Sequence, residues 1–318
     1  MRSISPYQRS LIVALGIGAL AAYSCLVFRQ RVFPGPGDFN WALNTAQALI
    51  SGQDPYNFVP SALHVPYPLP VALFGLPFLP LPKPLAGALF FGLSSGLLAY
   101  GILRSGQPWR LMIFLTFPYF YALIFAQWSP LVMATWFFPT LAPLLVLVKP
   151  QIALPIAINR ITHPGLLLAA AVLLGSLLIS PTWPWRWLSM THDYERIIPL
   201  LTLPFGPLLL IALYYWRDER ARLLIGMATL PFRGAYDLVA LWLLPGSARQ
   251  MIILVGLGWL PLLYSFDFGM STRPAWAVPL LFIPSLVFLI INKFRERQLQ
   301  SAMLPAPSLP EQEPLRSE

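Results

Sequence analysis

The chain has 318 residues, of which 57% are hydrophobic and only 10% charged, with a mean hydropathy of +0.66. Soluble domains carry about 25% charged residues, so a water-facing globular protein is excluded. The net charge of +9 and pI near 9.9 do not indicate nucleic acid, because the basic residues sit in short clusters at the ends of apolar blocks, the pattern that orients membrane helices.

Residues 11–28 run a full helix length without charge, and residues 84–103, 111–126, 131–148, 164–181, 197–216 and 274–292 form similar blocks. A helix needs about 20 apolar residues to cross the hydrocarbon core, and lipid offers no partner to an open backbone group. The expected fold is therefore all-α and polytopic. A cleavable leader is the rival reading of residues 1–28, but the run is long for one and further spans follow, so a retained anchor is expected. Arg2 and Arg9 place the N-terminus in the cytoplasm. Cys25 is the one cysteine, so no intrachain disulfide or cysteine metal site is expected.

Residues 29–83 form a long outer segment. Phe39, Ala42, Leu43, Ala46, Leu49 and Ile50 recur at helical spacing, with Asn40, Asn44 and Gln47 on the other side. This predicts an amphipathic interfacial helix of about three turns, closed by Gly52. Asp38 at its start has two readings. One is an N-cap, worth about 1 kcal/mol; the other is a partly buried carboxylate serving as general base. Asp54 before Pro55 reads first as a turn residue. Pro66-Tyr67-Pro68-Leu69-Pro70 then leads into an apolar stretch broken by Pro77, Pro80 and Pro82.

Arg104 and Arg110 flank the next turn, Arg217, Arg220 and Arg222 another, and Lys293, Arg295 and Arg297 begin the tail. Placing all of these inside needs an even number of crossings. Residues 223–245 are long enough for one span but are interrupted by Pro231, Arg233, Gly234 and Asp237, so they read as two short or re-entrant helices. About eight to ten membrane helices result, in one domain over residues 1–300, followed by a disordered cytoplasmic tail, 301–318. Thirty-five prolines predict broken helices, which membranes tolerate where they are buried in protein or line a cavity.

Polar residues stand out in such a chain. Gln127-Trp128-Ser129 ends one block, and Trp183, Trp185 and Trp187 form an aromatic belt around Arg186, with His192 and Arg196 beyond. Arg233, Tyr236 and Asp237 lie between two short helices; a mutual Arg233–Asp237 ion pair is the structural reading. There is no Walker sequence, no HExxH and no nucleophile elbow. The three histidines are scattered, and no cofactor or metal is expected.

Gly37-Asp38-Phe39, followed by Ala46, Leu49, Gly52 and Asp54-Pro55-Tyr56, and then Pro66-Tyr67-Pro68, resembles glycosyltransferase family 87. Ala126-Gln127-Trp128-Ser129 is similar to that family's Gly-Gln-x-Asn, Lys149-Pro150 to its Lys-Pro, and Tyr236-Asp237-Leu238 to its late loop. The resemblance implies a GT-C-like membrane transferase of the bacterial plasma membrane, using polyprenyl-phosphate-mannose at the extracytoplasmic face. It implies Asp38 as general base, a lipid or glycan acceptor, and inversion at the anomeric carbon. The leaving phosphate needs cationic partners, for which Arg233, Arg186, Arg196 and Lys149 are candidates. Asn40, Asp54, Tyr56, Tyr67, Gln127, Tyr236 and Asp237 are the candidate pocket residues. The family pattern puts Lys149 near the outer face, whereas a single span over residues 131–148 puts it inside; Pro139, Pro143, Pro150 and Pro155 allow short broken helices instead. A transporter or lipid flippase, and a non-catalytic scaffold, are the other readings.

Overall fold

The computed structural model describes residues 5–57, 67–191, 197–232, 234–264 and 274–303, which are helical apart from connecting turns and one isolated β-bridge. The first helix, α1 (Pro6–Arg31), opens on a capping box in which the Ser5 hydroxyl accepts from the Gln8 amide and the Gln8 side chain from the Ser5 amide. After it come α2 (Asn40–Ile50) and α3 (Lys83–Arg104). α2 is the helix expected after Asp38, and Gly52 past its end has φ +65°. α1 and α3 run antiparallel, with Tyr7 against Tyr100 at one end and Ala22 against Gly92 further along. Glycine allows that approach: a Cβ on Gly92 would lie 2.5 Å from the Ala22 Cβ, the close packing that small residues give helices in lipid.

The middle of the chain departs from the expected continuous spans. Residues 111–126 are a 3₁₀ run, Pro108–Leu115, followed by the short α4 (Phe117–Ile124). Residues 131–148 are α5 (Ser129–Ala134), a 3₁₀ turn at Pro139–Leu141, and α6 (Ala142–Val146); Pro150 then starts α7 (Pro150–Ala157). Proline has no amide to donate and crowds the preceding turn, so at Pro118, Pro130, Pro143 and Pro150 the chain restarts a helix at its first turn. α8 (His163–Ile179), capped by the Thr162 hydroxyl, is followed by α9 (Trp183–Ser189) after a bend of 89°. Residues 197–216 hold only the 3₁₀ runs Pro199–Leu201 and Gly206–Tyr215. Residues 223–245 divide, as expected, into the end of α10 (Glu219–Thr229) and a 3₁₀ run, Ala235–Leu243. α11 (Ala248–Tyr264) was not expected, and α12 (Ile283–Met303) continues a π-helical stretch, Val278–Phe282.

By length and composition, α1, α3 and Val278–Gln300 are able to cross a membrane, and the bent α8–α9 pair adds a fourth if it is one broken span. The protein is thus an all-helical membrane protein in which, among the described residues, far fewer than eight helices have full spanning length. Leu15, Leu20, Leu167, Leu174 and Leu178 are exposed along α1 and α8, a surface suited to lipid. The predicted tail from residue 304 onward lies outside the described residues.

The charges sort to two ends. Arg104 sits over the Tyr7 ring where α3 ends beside the start of α1. Arg110, just past that turn, donates to the carbonyls of Leu243 and Pro245 at 3.0 Å each. Arg160 donates to Glu219 at 2.7 Å, Arg222 to Asn159 at 2.7 Å, and Lys293 pairs with Asp218 at 2.5 Å. At the opposite end, Pro36 packs on Gly87, near the start of α3, and Asp38 follows it. The basic residues expected inside and the outer segment are therefore separated by the length of α3, about 33 Å for its 22 residues.

Candidate active site

The approach to Asp38 is built by glycine and by one buried arginine. Gly35 and Gly37 have φ of +117° and +66°, the left-handed region that glycine enters without steric cost. A Cβ on Gly37 would lie 2.3 Å from the Phe125 carbonyl oxygen, and the Asp38 amide donates to that same oxygen at 2.7 Å. Arg29, 6% exposed, donates to the carbonyls of Gly35, Ile124 and Pro34 at 2.7, 3.0 and 3.3 Å. Its charge thereby covers the Ile124 carbonyl that the end of α4 leaves open and ties it to the Pro34–Gly35 turn. In the sequence Arg29 is only the first residue of the outer segment 29–83; nothing local to the sequence marks it as a buried staple. Ala126 has φ +48°, the left-handed region that glycine enters more readily than alanine.

Asp38 is not a helix cap. Phe39 holds the cap position of α2 with no side-chain hydrogen bond. The Asp38 carboxylate instead accepts a very short hydrogen bond from the Tyr67 hydroxyl on Oδ2. Lys149 Nζ lies 4.0 Å from the same oxygen, and the Asp38 side chain is 23% exposed.

Lys149 is the centre of the cluster. It is 2% exposed and donates to Gln127 Oε1 at 2.8 Å, with Asp237 Oδ1 at 3.4 Å. It also lies 4.8 Å from the Tyr236 ring centroid and 5.8 Å from that of Tyr67. An ammonium has three N–H donors, and Gln127, Asp237 and Asp38 surround it with three acceptors. Burying such a charge is costly unless it is paired and hydrogen-bonded, and this one is. The broken path through α5 and α6 returns Lys149 to Gln127, so it lies at the Asp38 end. Of the two placements the sequence allowed, this is the one implied by the resemblance. The ion pair of Asp237 described here is with Lys149; Arg233, its expected partner, lies outside the described residues.

The wall behind Asp38 is aromatic. Trp128, fully buried, packs on Phe39, Phe74, Phe90 and Tyr67. The Trp128 Nε1 and Ser129 Oγ are buried without a hydrogen-bond partner. Asn40 opens α2 and joins no side-chain hydrogen bond among the described residues.

Asp54, Tyr56 and Arg186 form a second cluster. Asp54 Oδ1 accepts from the Tyr56 amide at 2.9 Å, the expected turn. Its other oxygen pairs closely with Arg186 Nη1, and Arg186 Nη2 donates to Asn57 Oδ1 at 2.8 Å. Burial pushes the Asp54 carboxyl up, but the hydrogen bonds from Arg186 and the Tyr56 amide outweigh it and hold the group below its ordinary value. The two clusters touch through Tyr56, whose hydroxyl donates to the Tyr67 carbonyl at 3.2 Å.

Arg196 and His192, like Arg233, lie outside the described residues. Their neighbours are placed: Ile197 and Phe232 form the β-bridge, with N···O distances of 3.4 and 3.1 Å. Among the described residues, no three His, Cys, Asp or Glu side chains gather as a metal site. No protein-family model, curated protein or solved structure matches the chain.

Proposed function

We propose that the protein is a membrane glycosyltransferase that moves a sugar, mannose on the resemblance, from a polyprenyl-phosphate donor to a lipid or glycan acceptor. The reaction takes place at the extracytoplasmic face of the bacterial plasma membrane. The observation that carries this reading is the Asp38 carboxylate, partly exposed and tied on one oxygen to Tyr67 and Lys149 at the end opposite the basic residues. In a chain of about eight to ten crossings, the shorter broken helices count as partial crossings around this site.

In the proposed step, Asp38 Oδ1 takes the proton of the acceptor hydroxyl while Oδ2 stays bonded to Tyr67. The acceptor oxygen forms its bond to the anomeric carbon from one side. The bond from that carbon to the phosphate oxygen breaks on the other, and polyprenyl phosphate leaves with the electron pair, inverting the centre. Lys149 is held by Gln127 and Asp237 and acts on the carboxylate. The phosphate falls to the candidates Arg233 and Arg196, since Lys149 is engaged by Gln127 and Asp237 and Arg186 by Asp54 and Asn57. No cofactor enters the step.

The test is sugar transfer in membranes carrying the wild type or Asp38→Asn, with labelled polyprenyl-phosphate-mannose. A general base is worth about 10²–10⁴-fold, and a loss of that size at equal protein level supports the reading. Equal rates remove Asp38 from the chemistry. Movement of labelled lipid between leaflets with no transfer favours the transporter or flippase.

A further inference from the structure

The Asp54–Arg186 cluster lies apart from the reacting atoms, yet it reaches them through direct contacts. The Arg186 fork takes the Asp54 carboxylate on one arm and Asn57 on the other, and the guanidinium carbon lies 5.5 Å from the Tyr56 ring centroid. Tyr56 is 4% exposed and packs with Leu69 and Trp183. Trp183 donates its ring N–H to Ser176 at 3.1 Å, which ties α9 back onto α8. From Tyr56 the contacts continue to the Tyr67 carbonyl, and from the Tyr67 hydroxyl to Asp38.

We infer that Arg186 is a positioning residue: with Asp54 and Tyr56 it clamps the first outer segment to the bent α8–α9 pair and so fixes the Tyr67 hydroxyl that orients Asp38. This rests on Asp38 being the base. Two physical points carry it. An arginine that binds a phosphate in a bidentate manner needs its fork open, and here both arms are engaged by the chain's own acceptors, with the charge balanced by Asp54. The pair is also about one-third exposed on each side chain, and exposed ion pairs contribute little to stability. Its cost in side-chain order is therefore better explained by geometry than by fold stability. A displacement of about 1 Å at a reacting group costs up to about 10²-fold in rate, so a weak pair far from the chemistry controls the rate through placement.

The experiment uses the full chain in native membranes, as wild type, Arg186→Ala, Arg186→Lys, Asp54→Asn and the exchanged pair Asp54→Arg with Arg186→Asp. Two readouts are taken: the rate against donor concentration, and modification of Asp38 by a water-soluble carbodiimide, read by mass spectrometry. Arg186→Ala is expected to lower kcat about tenfold with the donor KM within about twofold. The exchanged pair recovers part of that loss. Asp38 becomes more readily modified in Arg186→Ala, because Tyr67 no longer holds it. A donor KM that rises with kcat unchanged overturns the inference and makes Arg186 a phosphate ligand. Wild-type rates in every variant overturn it as well. If even the wild type transfers no sugar, the transferase reading fails, and the labelling decides the clamp alone: faster Asp38 modification in Arg186→Ala supports it, and an unchanged rate overturns it.

Discussion

The α1–α3 pair and the α4–α7 region solve the membrane problem in opposite ways. α1 and α3 are continuous, satisfy their backbone internally, and meet through Gly18, Gly92 and Gly96, with Tyr7 against Tyr100 and Arg104 at one end. The α4–α7 region is cut into short pieces by proline, and it carries the Gln127–Lys149 bond and one half of the Asp38 cluster. The first arrangement is suited to holding a shape against lipid. The second opens helix ends inside the protein, and helix ends are where polar groups can be assembled. The continuous apolar pair and the polar cluster thus belong to different stretches of one chain.

The sharpest way to break this contrast is to remove the charge at its centre. Lys149→Ala removes the ammonium that pairs with the buried Asp237, and breaking a buried pair from one side costs about 3–5 kcal/mol. A large fall in Tm of the detergent-solubilised protein is expected, with much of it recovered in Lys149→Met combined with Asp237→Asn. A Lys149→Ala protein with the wild-type Tm would mean that the cluster bears no structural charge balance. A smaller effect is expected at the glycine interface. Gly92→Leu overpacks the α1–α3 contact, for about 1–3 kcal/mol, and lowers Tm while leaving the Gln127–Lys149 half of the molecule unaltered. Carbodiimide labelling of Asp38 in the still-folded fraction checks that separation. The smallest effect has the opposite sign. Ala126→Gly relieves a left-handed residue and raises Tm by the equivalent of about 1 kcal/mol; no rise would show that the chain around Phe125 and Ala126 holds no such strain.

Much of this was legible in the residues. Asp38, Gln127, Tyr236 and Asp237 stand out because polar groups in an apolar chain are conspicuous, Tyr67 and Lys149 were marked by the resemblance, and the structure brings these six together. Their meeting was not legible. Proline announces that a helix breaks, but not the direction in which the chain leaves the break, so residues 131–148 supported both a crossing and a return. The cap reading of Asp38 failed for a related reason: a helix start is local, whereas the Tyr67 hydroxyl that captures the carboxylate arrives from a different segment. α11 escaped notice because its uncharged run, from Met251, is shorter than the about 20 residues a span requires. Arg29 was visible as a charge and invisible as a staple, since its partners are backbone carbonyls that every residue carries.

The return of the chain to Gln127 at Lys149 governs where the later elements lie. An unbroken helix over those residues would carry Lys149 about 30 Å away from Gln127 and leave every later element upside down relative to α3. The path runs from Gln127 to Phe137 and Phe138, which pack on Gly101 and Tyr100, and returns to Gln127 at Lys149. Arg160, Arg222 and Lys293 can then gather at the same end as Arg104 and Arg110. Which end of the molecule each later element reaches is therefore decided in one short stretch, by where Pro139 and Pro143 turn it around.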